Sequence, residues 1–209
     1  MRLAVLATEQ LKEELMSGGI NDDCKIDWVD SAKKLSAYPD ADAIIDLLFE
    51  NNNYDVSYLE GFLRKPVVVN SVNKTIDEIG LPFIRINAWP GFLKRNIAEI
   101  SCNDSSNKNA ENILALLNKK IERVPDIKGF ISARVVSMII NEAYFALEEN
   151  VSSRDEIDIA MKLGTNYPYG PFEWAQKIGL KNIVSLLTEL SLTEKRYQPS
   201  KLLMKDALL

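Results

Sequence analysis

The chain of 209 residues contains no histidine. That removes a Ser-His-Asp arrangement, a histidine-held zinc site and an imidazole general base, unless another residue type takes the role. The two cysteines, Cys24 and Cys102, lie far apart and match no metal-ligand spacing. They are expected to be reduced and incidental to function, and no metal is expected.

The elements that would position functional groups can be read along the chain. Hydrophobic residues make up 46% of it and charged residues 26%, an ordinary globular composition. The length suits one large domain or two small ones. A net charge of -5 without a basic run argues against a nucleic-acid partner. No apolar stretch approaches the ~18 residues of a membrane span. The opening MRLAVLATEQ enters a strand pattern at once, without a signal-peptide layout, so a cytoplasmic location is expected.

Short apolar runs predict strands at Arg2–Ala7, Lys25–Val29, Ala43–Phe49, Val67–Val69 and Phe83–Ile86. Helical spacing falls between them at Glu9–Met16, Ser31–Leu35, Val56–Leu63 and Thr75–Ile79. That alternation implies βαβ units and a mainly parallel sheet. A polar turn at Asn103–Lys108 precedes a helix with apolar Ile113, Leu117 and Ile121. From Gly129 the pattern becomes wholly helical. One long helix is predicted over Phe130–Glu149, and a capping box at Ser153–Glu156 starts another that should stop before Gly164. Gly170-Pro171 opens a third helix, with glycine supplying unusual backbone angles, and Leu180–Glu194 is a fourth. The boundary is placed near Ile127–Gly129, giving domains 1–127 and 128–209.

The second half carries Gly129-Phe130-Ile131 with Arg134, then Asn141-Glu142-Ala143, then Asp155-Glu156-Ile157-Asp158 and Ala160-Met161-Lys162-Leu163-Gly164. Tyr167-Pro168-Tyr169-Gly170-Pro171-Phe172-Glu173 is the sharpest piece, and Arg196-Tyr197-Gln198-Pro199-Ser200 with Leu202-Leu203 closes the series. In this order the motifs resemble the C-terminal domain of the 3-hydroxyacyl-CoA dehydrogenases. The resemblance implies an α/β Rossmann-like first domain, compact here, followed by that family's all-α domain. It also implies a dimer through residues 129–209 and a wall of an acyl-CoA cleft.

Set against the family's motifs, the first half departs from them. Where the family has G-x-G-x-x-G after its first strand, the three glycine positions hold Ala7, Glu9 and Lys12. Glu9 would put negative charge where a phosphate sits. Asp30 matches the acid that binds the adenosine ribose. The family's catalytic histidine falls on Asn87, and the glutamate that orients it falls on Glu99. The asparagine before the long helix's arginine falls on Ala133, beside Arg134. The family's N-T-S segment reads Asn70-Ser71-Val72. Ser71, Trp89 and Arg134 are therefore candidates for the substrate cleft, with Trp89 either lining a small pocket or plugging the space of an absent cofactor.

Three readings follow. The first is a family member without NAD-dependent hydride transfer, which binds an acyl-CoA thioester or a partner. The second is an active dehydrogenase using NAD(H), with Lys94 or Glu99 as base. The third is a structural subunit that dimerises with a full-length homologue.

Overall fold

A computed structural model describes residues 1–208. The chain forms two compact units, Met1–Phe130 and Ile131–Leu209.

In the first unit the elements run β1 (Arg2–Leu6), α1 (Glu9–Met16), β2 (Lys25–Val29), β3 (Ala43–Asp46), β4 (Val67–Asn70), α2 (Ile76–Ile79), β5 (Ile84–Ile86), β6 (Ile97–Ser101), α3 (Asn107–Leu116) and β7 (Lys120–Arg123). They build one seven-stranded sheet in the order β2-β1-β3-β4-β5-β6-β7. All neighbours are parallel except β5 and β6. The expected mainly parallel, Rossmann-like sheet is present. Both faces are buried, as crossover connections require. Leu3, Val5, Ile45 and Ile86 meet α1 and α3 residues such as Leu11, Leu15, Ile113 and Leu114 on one side. Ala4, Leu6, Ile44 and Val69 meet Leu35, Leu59 and Phe62 on the other.

That second face explains the compactness of the domain. Its covering segments are short 3-10 turns, Ala32–Ala37 and Ser57–Phe62, where α-helices were expected at Ser31–Leu35 and Val56–Leu63. Two further expectations need correction. The third strand stops at Asp46, and the chain then turns through residues 47–54. Ile121 does not extend the helix of Ile113 but sits in β7, paired with Ala98. β6 and β7 themselves went unforeseen.

The second unit consists of α4 (Ser132–Glu148), α5 (Arg154–Thr165), α6 (Pro171–Ile178), α7 (Leu180–Ser191) and α8 (Lys201–Asp206). The capping box at Ser153 and Glu156 opens α5, and its hydrogen bonds pull the Glu156 carboxyl down to about 2. Gly164 does not stop α5; Asn166 does, in the left-handed conformation at φ 55°. Gly170 has an ordinary φ of -72°, so backbone freedom is not why glycine stands there. The reason is space. A Cβ at Gly170 would lie 2.3 Å from Asp158, whose carboxylate accepts the Phe172 and Glu173 amides at 2.8 and 3.2 Å. Asp158 of α5 thereby caps α6. Asn141 of α4 clamps the 198–200 segment, donating to the Gln198 carbonyl at 2.9 Å and accepting from Ser200 N at 2.8 Å. α8, capped by Ser200, was not anticipated.

Candidate functional site

β5 ends at Ile86 and delivers Asn87; β6 returns antiparallel and carries Glu99 opposite it. The Asn87 amide donates to the Glu99 carbonyl at 3.1 Å, and Asn87 Nδ2 donates to Glu99 Oε2 at 2.9 Å. Both side chains are buried. The Arg95 guanidinium lies 4.0 Å from the same carboxylate and stacks over Phe92. The two positions that the resemblance pairs are thus joined in space, with a carboxamide in the first. A carboxamide donates and accepts hydrogen bonds but does not take up a proton near neutral pH. Lys94, the other candidate base, is exposed.

The loop that joins these strands is fastened at three points by ionisable side chains, two of them, Glu14 and Lys119, buried. Gly91 N donates to both Glu14 oxygens, at 2.9 and 2.7 Å. The Lys119 amine donates to the Leu93 carbonyl at 2.6 Å and to the Arg95 carbonyl at 2.9 Å, and burial pushes its pKa down. Trp89 Nε1 donates to Glu50 Oε2 at 2.8 Å. Trp89 is 1% exposed within this unit, so it serves as a core side chain there.

Glu50 also accepts the amides of Val72 and Asn73, both at 2.8 Å, and the Tyr54 hydroxyl at 3.0 Å. Burial raises its pKa against the pull of these donors. Asp46, at the end of β3, is fully buried, and its pKa is pushed up to about 6 by desolvation, opposed by bonds from Tyr58 and Leu48 N. Ser71 is fully buried and donates to the Lys74 carbonyl at 2.9 Å. Asn70 accepts from Ala88 N at 3.0 Å, which ties β4 to the Asn87 loop. Arg85, fully buried, donates to the Ser71 carbonyl at 2.9 Å and pairs with Asp126. Glu14, Glu50, Arg85 and Lys119 escaped the sequence reading; their partners are mostly main-chain groups far away in sequence, which no short motif records.

At the same carboxyl edge of the parallel strands, after β1, Ala7 is buried and Thr8 caps α1, accepting from Leu11 N at 3.3 Å. Glu9 stands in the first turn with its side chain 83% exposed, paired with Lys12 at 2.5 Å. The Lys12 amine also lies over the Trp28 ring, 5.6 Å from its centroid. Asp30 is paired with Lys34 at 2.7 Å, which lowers the aspartate pKa.

In the second unit Ala133 is buried on α4. Arg134 stacks over the Tyr197 ring and donates to its hydroxyl at 3.4 Å. A cleft of about 790 Å³ in this unit is lined by Tyr144, Arg154, Asp158, Lys162 and Phe172 among others, and none of the sequence-derived site residues borders it.

Comparison with known proteins shows what the second half is similar to. The family described as "3-hydroxyacyl-CoA dehydrogenase, C-terminal domain" matches residues 129–207. This segment is therefore similar to the C-terminal domain of the 3-hydroxyacyl-CoA dehydrogenases. Among relatives, the 3-hydroxyadipyl-CoA dehydrogenase of Escherichia coli K12 is 43% identical over 108 residues, covering 51% of this chain and 23% of the relative. A probable 3-hydroxybutyryl-CoA dehydrogenase of Deinococcus radiodurans is 27% identical over 188 residues, covering 82% of this chain and 68% of the relative. The first three curated relatives are spanned only to 23%, 38% and 37% of their length. The crystal structure of (S)-3-hydroxybutyryl-CoA dehydrogenase from Ralstonia eutropha shares the fold, with a TM-score of 0.73 at 20% identity over 98% of this chain and 92% of that one. Among the described residues no helix is long and apolar enough to cross a membrane.

Proposed function

We propose that this protein binds a CoA thioester of the class its relatives act on, without passing hydride to or from NAD, and does so as a homodimer built mainly from residues 129–209. The observation that carries the reading is the buried Asn87–Glu99 pair. The carboxylate that would orient a base is held at 2.9 Å from a side chain that cannot act as one. The start of α1 supports the same reading, because it does not fit a dinucleotide pyrophosphate. One of its first amides, that of Leu11, is already taken by Thr8, and Glu9 adds a carboxylate where a phosphate would need positive potential. Apolar side chains on the second unit support the dimer. Ile131, Val135, Ile159 and Leu163 are 52%, 49%, 53% and 82% exposed, more apolar surface than a small domain ordinarily leaves to water.

Calorimetry with NADH and with acetoacetyl-CoA, alongside light scattering, tests the proposal. The expected result is a dimer that binds the thioester but not NADH and oxidises no NADH. Loss of a positioned base alone costs about 100- to 10,000-fold in rate. Asn87→His should remain inactive, because the nucleotide site is still unsuited. Binding of both ligands with turnover overturns the proposal and points to an active enzyme. Binding of neither also overturns it, in favour of a structural subunit. A monomer at high concentration removes the dimer.

A further inference from the structure

Four donors from three separate stretches of chain converge on the Glu50 carboxylate. Val72 N and Asn73 N, consecutive main-chain amides after β4, both point at Oε1 from 2.8 Å. The Tyr54 hydroxyl joins them at 3.0 Å, and Trp89 Nε1 takes the other oxygen at 2.8 Å. Positive charge stands close behind. The buried Arg85 guanidinium acts electrostatically on both Glu50 and Tyr54, and the Lys74 amine lies 4.2 Å from the centroid of the Tyr54 ring. Paired amides and a hydroxyl aimed at one oxygen, with an indole donor for the second and cations nearby, make a set of donors matched to a carboxylate. Val72 and Trp89 are buried core residues, so two of the donors are held by the fold independently of Glu50. Glu50 itself is only half-buried and comes from the turn after β3, where Asn53 and Tyr54 adopt φ of 54° and 57°.

We propose that Val72 N, Asn73 N, Trp89 Nε1 and the Tyr54 hydroxyl form a carboxylate-binding site that the chain keeps filled with its own Glu50. The ligand class is a small carboxylate, and the Glu50 side chain is its internal occupant, which has to rotate out before an external one can enter. This goes beyond the thioester reading, which makes no use of these donors, so each can fail without the other.

The test is chemical rescue. Glu50→Ala leaves the donors facing an empty space and should lower the thermal unfolding midpoint by about 5 °C or more, since several buried donors lose their acceptor. Sodium formate should restore part of that loss with a saturating dose response, as a ligand bound only by the folded state does. Sodium chloride at equal ionic strength should not, and wild type and Glu50→Gln should not respond to formate. A Glu50→Ala response no larger than that of wild type, or equal for chloride and formate, overturns the proposal. Should Glu50→Ala not fold, proton NMR of the wild-type protein decides. The Val72 and Asn73 amides and the Trp89 indole proton should shift together through one titration that disappears in Glu50→Gln. Independent titration of the three overturns the proposal.

Discussion

Two helices of this protein begin where a family motif places glycine, and they are finished in opposite ways. α6 starts at Gly170-Pro171, and its first amides are received by Asp158 from a different helix, across a gap that admits no Cβ. α1 starts after Ala7-Thr8, and its cap and its first-turn charge both come from its own residues, Thr8 and Glu9. The first helix end is therefore bound into tertiary structure, and glycine remains where the packing demands it. The second is closed on itself, with glycine replaced at all three motif positions. A motif glycine of the first kind is held by packing whatever the activity, whereas the set of the second kind includes one that lets the backbone approach a ligand.

The contrast predicts graded effects on stability, measurable by denaturant unfolding. Gly170→Ala should be the most damaging, at about 3 kcal/mol, because the new methyl group meets Asp158 backed by two hydrogen-bonded amides. A loss below about 1 kcal/mol would mean that the α5–α6 approach is looser than the geometry indicates and would erase the contrast. Thr8→Ala should cost about 1 kcal/mol, the ordinary worth of an N-cap, with no other element disturbed. Glu9→Gln should change stability least, by about 0.5 kcal/mol or less, since its pair with Lys12 is solvent-exposed. A cost from Glu9→Gln as large as that from Gly170→Ala would show that the α1 end is tied into the fold after all.

The parts of the fold that could be read beforehand are those with local causes. α1 follows its predicted bounds because Gly18-Gly19 ends an unbroken helical pattern, and α5 starts at its capping box. β7 escaped because Ile121 follows Ile113 and Leu117 at helical spacing, while its neighbours Lys120, Glu122 and Arg123 give no strand signal. Asn87 and Glu99 were legible as a pair only through the family motif; their actual link is the antiparallel return of β6, which sequence periodicity did not disclose. The fastening of the Asn87 loop was out of reach altogether. Glu14 meets Gly91 across 77 residues, and Trp89 meets Glu50 across 39. Such contacts are fixed by the assembled sheet and leave no mark in a local window.

Arg85 also determines where this chain can be cut. Its guanidinium faces the Asp126 carboxylate and the carbonyls of Ser71, Val72 and Ile127, with the Phe130 ring 4.7 Å away, while Gly129 N donates to the Val72 carbonyl at 2.7 Å. The strip from 126 to 130 therefore closes the first unit from the inside. A gene fragment ending after Arg123 would abandon a buried cation without its counter-ion, a defect worth about 3–5 kcal/mol. One ending at residue 127 would keep the ion pair but lose the aromatic cover and the Gly129 bond. The shortest fragment that preserves the whole clasp ends at Phe130, and an expression boundary drawn there leaves the buried guanidinium with every partner named above.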